Sequence, residues 1–169
     1  MAVKTHAPQS KIHTSSPNGL KSKYVLSREA LCALVQKGEI ETIVMAFPDM
    51  QGRWMGKRVT GPYFLEHAAK DGVHVCAYLL TADMEMEPLP GFKLTSWEKG
   101  YQDFHLVPDY ATARLLPWLN KTALVVCDVY TEHGEPIEVA PRWILKRQIE
   151  RCRKAGFEPF TASELEYYL

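Results

Sequence analysis

Residues 40–47, I-E-T-I-V-M-A-F, put apolar side chains on both faces of an extended segment. A strand with one solvated face alternates apolar with polar, so this pattern predicts a strand with sheet around it. Pro48-Asp49-Met50-Gln51-Gly52 reads as a turn, and residues 53–59 return as the second arm of a hairpin. Gly56 in that arm predicts a bulge or a close backbone approach. The chain is therefore committed to a sheet with a central strand near its start.

Other segments extend this plan. Ser27 is placed to cap a short helix with Glu29 in its first turn, Leu31, Leu34 and Val35 on one face and Gly38 at its end. Pro62 opens a second helix that Gly72 closes, with Tyr63, Phe64 and Ala68 on its buried side. Residues 73–80 read as a strand. Residues 81–102 show no period, carry Asp83, Glu85, Glu87, Pro88 and Pro90, and predict a long functional or disordered loop. Short strands are expected at 103–107 and 113–116 around a Pro108-Asp109 turn. Thr122–Tyr130, T-A-L-V-V-C-D-V-Y, has the strongest strand character, and Asp128 within it reads as an outward-facing acid, the favoured expectation, or as a buried, hydrogen-bonded one.

Pro141 opens a helix over 141–155 in which Leu145, Ile149 and Cys152 fall at helical spacing and should face a core. Lys146, Arg147, Arg151, Arg153 and Lys154 occupy its other faces. Several lie near the C-terminal end, where the helix dipole favours cations, so the basic run needs no phosphate ligand to explain it. Gly156 is the expected residue after the cap. Through about Val139 the order of elements predicts a small α+β domain, and a second architecture begins at 140.

The first 23 residues carry four lysines and no acid, with Ser, Thr, Pro and Asn throughout. Such a stretch buries too little to offset its ordering entropy, which predicts a disordered tail over 1–23, with a transit peptide as the lesser reading, since the segment is acid-free and hydroxyl-rich but has no arginine and little amphipathicity. With 20 basic and 20 acidic side chains, the chain has no general charge for nucleic acid or an anionic membrane. No apolar run approaches the ~20 residues of a membrane span. Cys32, Cys76, Cys127 and Cys152 match neither a zinc pattern nor a compact disulfide framework, so reduced thiols in a cytoplasmic protein are expected. None of the six histidines is assigned as a ligand, and neither a glycine-rich phosphate loop nor a Ser/His/Asp constellation occurs.

The final residues, 160–169, read F-T-A-S-E-L-E-Y-Y-L, a strand in composition. Residues i and i+2 of a strand share a face, which would set Glu164 and Glu166 side by side, roughly 7 Å apart. Their mutual repulsion would be about 2–3 kcal/mol at an effective dielectric of ~20. A hard divalent cation relieves it, since such ions take carboxylate oxygens. The alternative is an edge strand with a solvated acidic face. The preceding helix and this strand look like the first pieces of a further sheet.

Four stretches resemble the glutamine synthetase superfamily. F-P-D-M-Q-G-R-W-M-G-K-R-V at 47–59 resembles its hairpin, and G-Y-Q-D-F-H-L-V-P-D at 100–109 its N-domain D-x-x-L-x-P-D segment. G-E-P-I-E-V-A-P-R-W-I-L-K-R at 134–147 is similar to the linker and first helix of its catalytic domain. A-S-E-L-E-Y-Y-L at 162–169 resembles that domain's first strand. The resemblance implies a β-grasp-like N-terminal domain over 24–139, and over 140–169 the first helix and strand of a catalytic α/β domain. It implies an ATP-dependent ligase in which the γ-carboxylate of glutamate attacks ATP and an amine captures the acyl phosphate. Glu164 and Glu166 match the family's carboxylates, each on one of two Mg²⁺ or Mn²⁺ ions. Asp103 matches an N-domain aspartate near a neighbouring subunit's site in a ring-shaped homo-oligomer. Ammonia-using members carry F-D-G-S-S where this chain has V-C-A-Y-L at 75–79, a local pattern that more closely resembles the γ-glutamyl-polyamine synthetase branch, whose acceptor is a larger amine, with Asp83, Glu85 and Glu87 available to attract it. A catalytically silent structural protein retaining the fold is the other reading. On either, this piece alone is expected to bind metal weakly and to lack ligase activity.

Overall fold

The computed structural model describes residues 24–98 and 100–168; the tail expected over 1–23 lies outside them. The chain runs through helix α1 (Arg28–Gln36) and the hairpin β1 (Thr42–Pro48) and β2 (Trp54–Thr60). A continuous helical stretch follows, with α turns Gly61–Tyr63 (α2) and Ala69–Asp71 (α3) flanking a π turn, Phe64–Ala68. Then come β3 (Val73–Cys76), β4 (Asp103–Pro108), β5 (Arg114–Leu115), β6 (Thr122–Tyr130) and helix α4 (Pro141–Lys154). The strands form one mixed six-stranded sheet in the order β2-β1-β6-β4-β3, with β5 alongside β6. The class is α+β.

β1 is central, as its two apolar faces require. It pairs antiparallel with β2 and parallel with β6. Ile43, Met45 and Phe47 alternate onto the face that α1 and the π turn cover, where they join the fully buried Leu31 and Phe64. Each such side chain contributes roughly 1.5–3 kcal/mol by leaving water. Gly56 stands opposite Ala46 with φ 148°, and a Cβ there would lie 2.0 Å from the Met45 carbonyl oxygen. The expected close approach is thus real, and only glycine permits it.

α1 starts as its sequence requires. The Ser27 side chain accepts from the Ala30 amide at 3.1 Å, and Gly38 leaves the helix at φ 70°. Arg28 then reaches across to donate to the Ala69 carbonyl at 3.2 Å, and the Tyr110 hydroxyl donates to the same oxygen at 2.6 Å. Burial of that phenol pushes its pKa up to about 12.

The structure departs from the sequence reading in several places, the first being Tyr63, expected on the buried side of the second helix and exposed in the structure. The strand expected over 73–80 stops at Cys76, and Ala77–Leu80 is a 3-10 turn. Its partner β4 begins at Asp103, paired with Cys76, and beyond that pair the Ala77 amide still donates to the Gln102 carbonyl at 2.7 Å before the chain turns into the 3-10 geometry. α4 has no buried residue, and Leu145, expected to face a core, is 58% exposed. Residues 160–168 form no strand: a strand exists only through a partner, and none of the described residues pairs with them. Phe160, Leu165, Tyr167 and Tyr168 are exposed there.

Candidate functional site

Three groups of polar side chains stand out, and each is fixed by a different element. The first is the β1–β2 turn. Asp49 has a fully buried side chain whose Oδ1 accepts from the amides of Gln51 (2.9 Å) and Arg53 (2.8 Å). Its Oδ2 accepts from Arg53 Nε at 2.6 Å. Burial alone would push this carboxyl up. Hydrogen bonds from the Arg53 side chain and from the Arg53 and Gln51 amides overcome that, holding it below the ordinary carboxylate range.

The loop over 81–102 meets that turn. Arg53 donates to the carbonyls of Met84 (2.7 Å) and Asp83 (2.8 Å), and Gln51 Nε2 to that of Ala82 (3.2 Å). Asp83 Oδ1 accepts from the amides of Glu85 (3.0 Å) and Glu87 (2.9 Å), closing a tight local turn with Met86 at φ 68°. The Asp83 carboxylate is thereby engaged with backbone, while the Glu85 and Glu87 side chains stay exposed. Farther along, Leu94 packs on the core and Thr95 is buried. The segment expected to be a loop is one, but its first turn is firmly held.

The second group sits at the root of α4. Arg142 Nε donates to Asp128 Oδ1 at 2.8 Å, and its Nη2 to the Asp109 carboxylate. Lys146, one turn on, donates to the Asp128 carboxylate and lies 3.7 Å from Asp109 Oδ2. All four side chains are 15–19% exposed. Asp128 is therefore an engaged acid, not the outward-facing one expected. Strand alternation puts it opposite the buried Cys127, on the face that α4 approaches. Sequence reasoning missed this group because its cations lie 14 to 37 residues from the acids they face. One signal was available: Arg142 and Lys146 are spaced i, i+4 and share a helix face. Beside this root lies a small pocket of ≈210 Å³ lined by Pro48, Trp54, Val126, Pro141, Arg142 and Leu145.

The third group comprises the residues singled out from sequence. Asp103 opens β4, exposed, in register with Cys76. Glu164 and Glu166 lie in the exposed segment beyond α4, with no hydrogen bond or ion pair to the described residues. Among the described residues no three His, Cys, Asp or Glu side chains come together to hold a metal. The structure thus does not gather Asp103 with the two glutamates. The donor chemistry nevertheless fits a hard divalent ion: two free carboxylates on alternate residues, against the six or more oxygens such an ion takes.

No family model matches the chain. It is 45% identical over 142 residues to γ-glutamylethanolamide synthetase GlnA4 of Streptomyces coelicolor, covering 84% of this chain and 31% of that protein. It is 38% identical over 135 residues to glutamate–isopropylamine ligase of a Pseudomonas species (80% of this chain, 29% of the ligase). It is 27% identical over 144 residues to glutamine synthetase of Thermotoga maritima (83% and 30%). The chain belongs to the glutamine synthetase superfamily.

Within the superfamily it spans about three tenths of these relatives' length, as an N-terminal part. The two amine-ligating relatives match it at higher identity than does the Thermotoga glutamine synthetase. The GmaS–ADP complex superposes with a TM-score of 0.57 at 24% identity, over 74% of this chain and 26% of that one, which supports the mixed sheet plus helices. The stretch V-C-A-Y-L at 75–79 straddles the end of β3 and the 3-10 turn. No helix among the described residues is long and apolar enough to cross a membrane.

Proposed function

We propose that this chain is the N-terminal part of an ATP-dependent ligase that joins the γ-carboxylate of glutamate to an amine larger than ammonia, in the cytoplasm. The observation that carries this reading is the 45% identity, over 84% of the chain, to a γ-glutamylethanolamide synthetase. In the proposed reaction a γ-carboxylate oxygen of glutamate attacks the γ-phosphorus of ATP and ADP leaves. The amine nitrogen then attacks the acyl carbon, phosphate leaves with the carboxylate oxygen, and the nitrogen loses a proton. Barriers of this kind fall mainly through positioning and charge stabilisation.

On this reading residues 24–139 form a β-grasp-like domain, and 140–169 open the catalytic α/β domain. The uncovered apolar stripe of α4 and the unpaired extended segment after it are what such an opening would present. Glu164 and Glu166 would hold two Mg²⁺ or Mn²⁺ ions, which when bound supply neutralising charge for the phosphates. Asp103 and the loop over 81–102 would lie beside a neighbouring subunit's site in a ring closed by head-to-tail contacts. The exposed Glu85 and Glu87 favour a cationic amine. The stretch at 75–79 has no acid or hydroxyl pair to replace the water around ammonium.

A coupled ATP-hydrolysis assay on the complete gene product, with glutamate and either ammonia, ethanolamine or putrescine, tests this reading. The expected result is hydrolysis that depends on both glutamate and a larger amine. A clear preference for ammonia would overturn the amine class, and hydrolysis indifferent to any amine would overturn the ligase.

A further inference from the structure

The contact between the β1–β2 turn and the long loop is unusually complete. Three successive carbonyls, Ala82, Asp83 and Met84, are each held by a side chain of the turn some thirty residues earlier. Two of the three bonds come from one guanidinium. That group is itself fixed, because Asp49 takes its Nε at 2.6 Å and Asp49 is buried and bound to two turn amides. The planar fork leaves Nη1 and Nη2 aimed in set directions, which a lysine ammonium on a flexible stem cannot reproduce. The order of dependence runs in one direction: Asp49 sets Arg53, Arg53 sets the backbone of 82–84, and that backbone sets where the Asp83–Glu87 turn projects. The Ala82–Pro88 bridge and the Leu89 amide on the Thr81 carbonyl (2.9 Å) close the base of the turn.

We propose that Arg53, oriented by Asp49, is a positioning residue for amine recognition, acting by pinning the backbone at 82–84 so that the loop is held in its binding form before the amine arrives. This rests on the reading that the loop borders the amine site. Arg53 itself touches no substrate. Its loss frees the loop, and the amine then meets an ensemble in which only a fraction is competent, which weakens apparent affinity by that fraction. Glutamate and ATP, which the loop is not proposed to contact, keep theirs.

The experiment uses the complete gene product and its R53K and R53Q variants. Hydrogen exchange of the amides over 82–88 and Michaelis constants for amine, glutamate and ATP are measured on each. Both variants should speed exchange over 82–88 by about tenfold or more, since each loses charge-assisted hydrogen bonds. Both should raise KM for the amine several-fold while kcat and the other two constants stay near wild type. R53K should fail to rescue, because geometry and not charge is what is lost. Unchanged exchange over 82–88 would overturn the latch. Faster exchange with an unchanged amine KM, or equal rises in all three constants, would overturn the positioning role. Wild-type protein without amine-dependent turnover would overturn the underlying functional reading, and this inference with it.

Discussion

Replacing Arg142 by glutamine removes one of two cations facing two carboxylates, leaving Lys146 alone with Asp109 and Asp128. The magnitude follows from exposure. Ion pairs in full contact with water are worth about 0–1 kcal/mol, whereas removing one partner of a buried pair costs about 3–5 kcal/mol. The four side chains here are 15–19% exposed, closer to the buried limit but open to solvent on one side. A cost of about 2 kcal/mol is the intermediate expectation. α4 buries no residue fully, and beside the charge group its part-buried Trp143 is the side chain that packs against the core. The loss should therefore appear as local undocking, not as global unfolding. Amides over 144–154 should exchange roughly 30-fold faster, which is what ~2 kcal/mol means, while those of β1 and β6 stay unchanged. A double-mutant cycle with D128N should show coupling, since Arg142 Nε and Asp128 Oδ1 are 2.8 Å apart. Wild-type α4 should also loosen in high salt. Unchanged exchange in α4, or helix and sheet destabilised equally, would refute the view that charge docks this helix.

Three further outcomes follow from particular residues. Gly56→Ala should cost far more than Gly38→Ala in urea unfolding. Both glycines have positive φ, but a Cβ at Gly56 meets the Met45 carbonyl at 2.0 Å and one at Gly38 meets nothing within 4 Å; about 1 kcal/mol for Gly38 and at least ~3 for Gly56 are expected. For Asp49, whose carboxyl is held below its ordinary value, the stabilisation is present above the unfolded pKa near ~3.9 and is lost as pH falls through the folded value. Wild type should thus exceed D49N at pH 6, with the gap shrinking below pH ~4; a gap independent of pH would contradict this. Calorimetry of this 169-residue chain with Mn²⁺ should show weak binding, with Kd above about 0.1 mM, lost in E164Q/E166Q. A tight two-ion site would count against the assignment of only two ligands here.

Much of the sheet was legible because its signals are local. Thr122–Tyr130 is a strand over its predicted length, and the β1–β2 hairpin follows from one apolar arm, a turn and a return arm marked by Gly56. Gly56 was marked by its place in a strand, and Ser27 by its place before an apolar face. What escaped reading was non-local. The loop carbonyls that Arg53 holds lie about thirty residues away, and the acids facing Arg142 lie in β6 and just past the end of β4, so spacing named neither set of partners and marked only that Arg142 and Lys146 share a helix face. α4 shows the limit of periodicity: Leu145, Ile149 and Cys152 mark an apolar face, but not whether these residues supply its cover. The terminal segment shows the same limit for strands. Its composition is that of a strand, and it remains unpaired in the described residues. The placement of Glu164 and Glu166 on one face thus stays a property of a sheet that residues 160–168 do not form by themselves.

The chemistry can be followed atom by atom. With glutamate labelled by ¹⁸O in its γ-carboxylate, an acyl-phosphate route transfers one carboxylate oxygen to the phosphate released. On the complete gene product, with ATP, Mg²⁺ and a larger amine such as ethanolamine, the released phosphate should carry one ¹⁸O per turnover, and E164Q or E166Q should abolish the transfer. Phosphate free of label during amine-dependent turnover, or label transfer undiminished in both glutamate variants, would contradict the account.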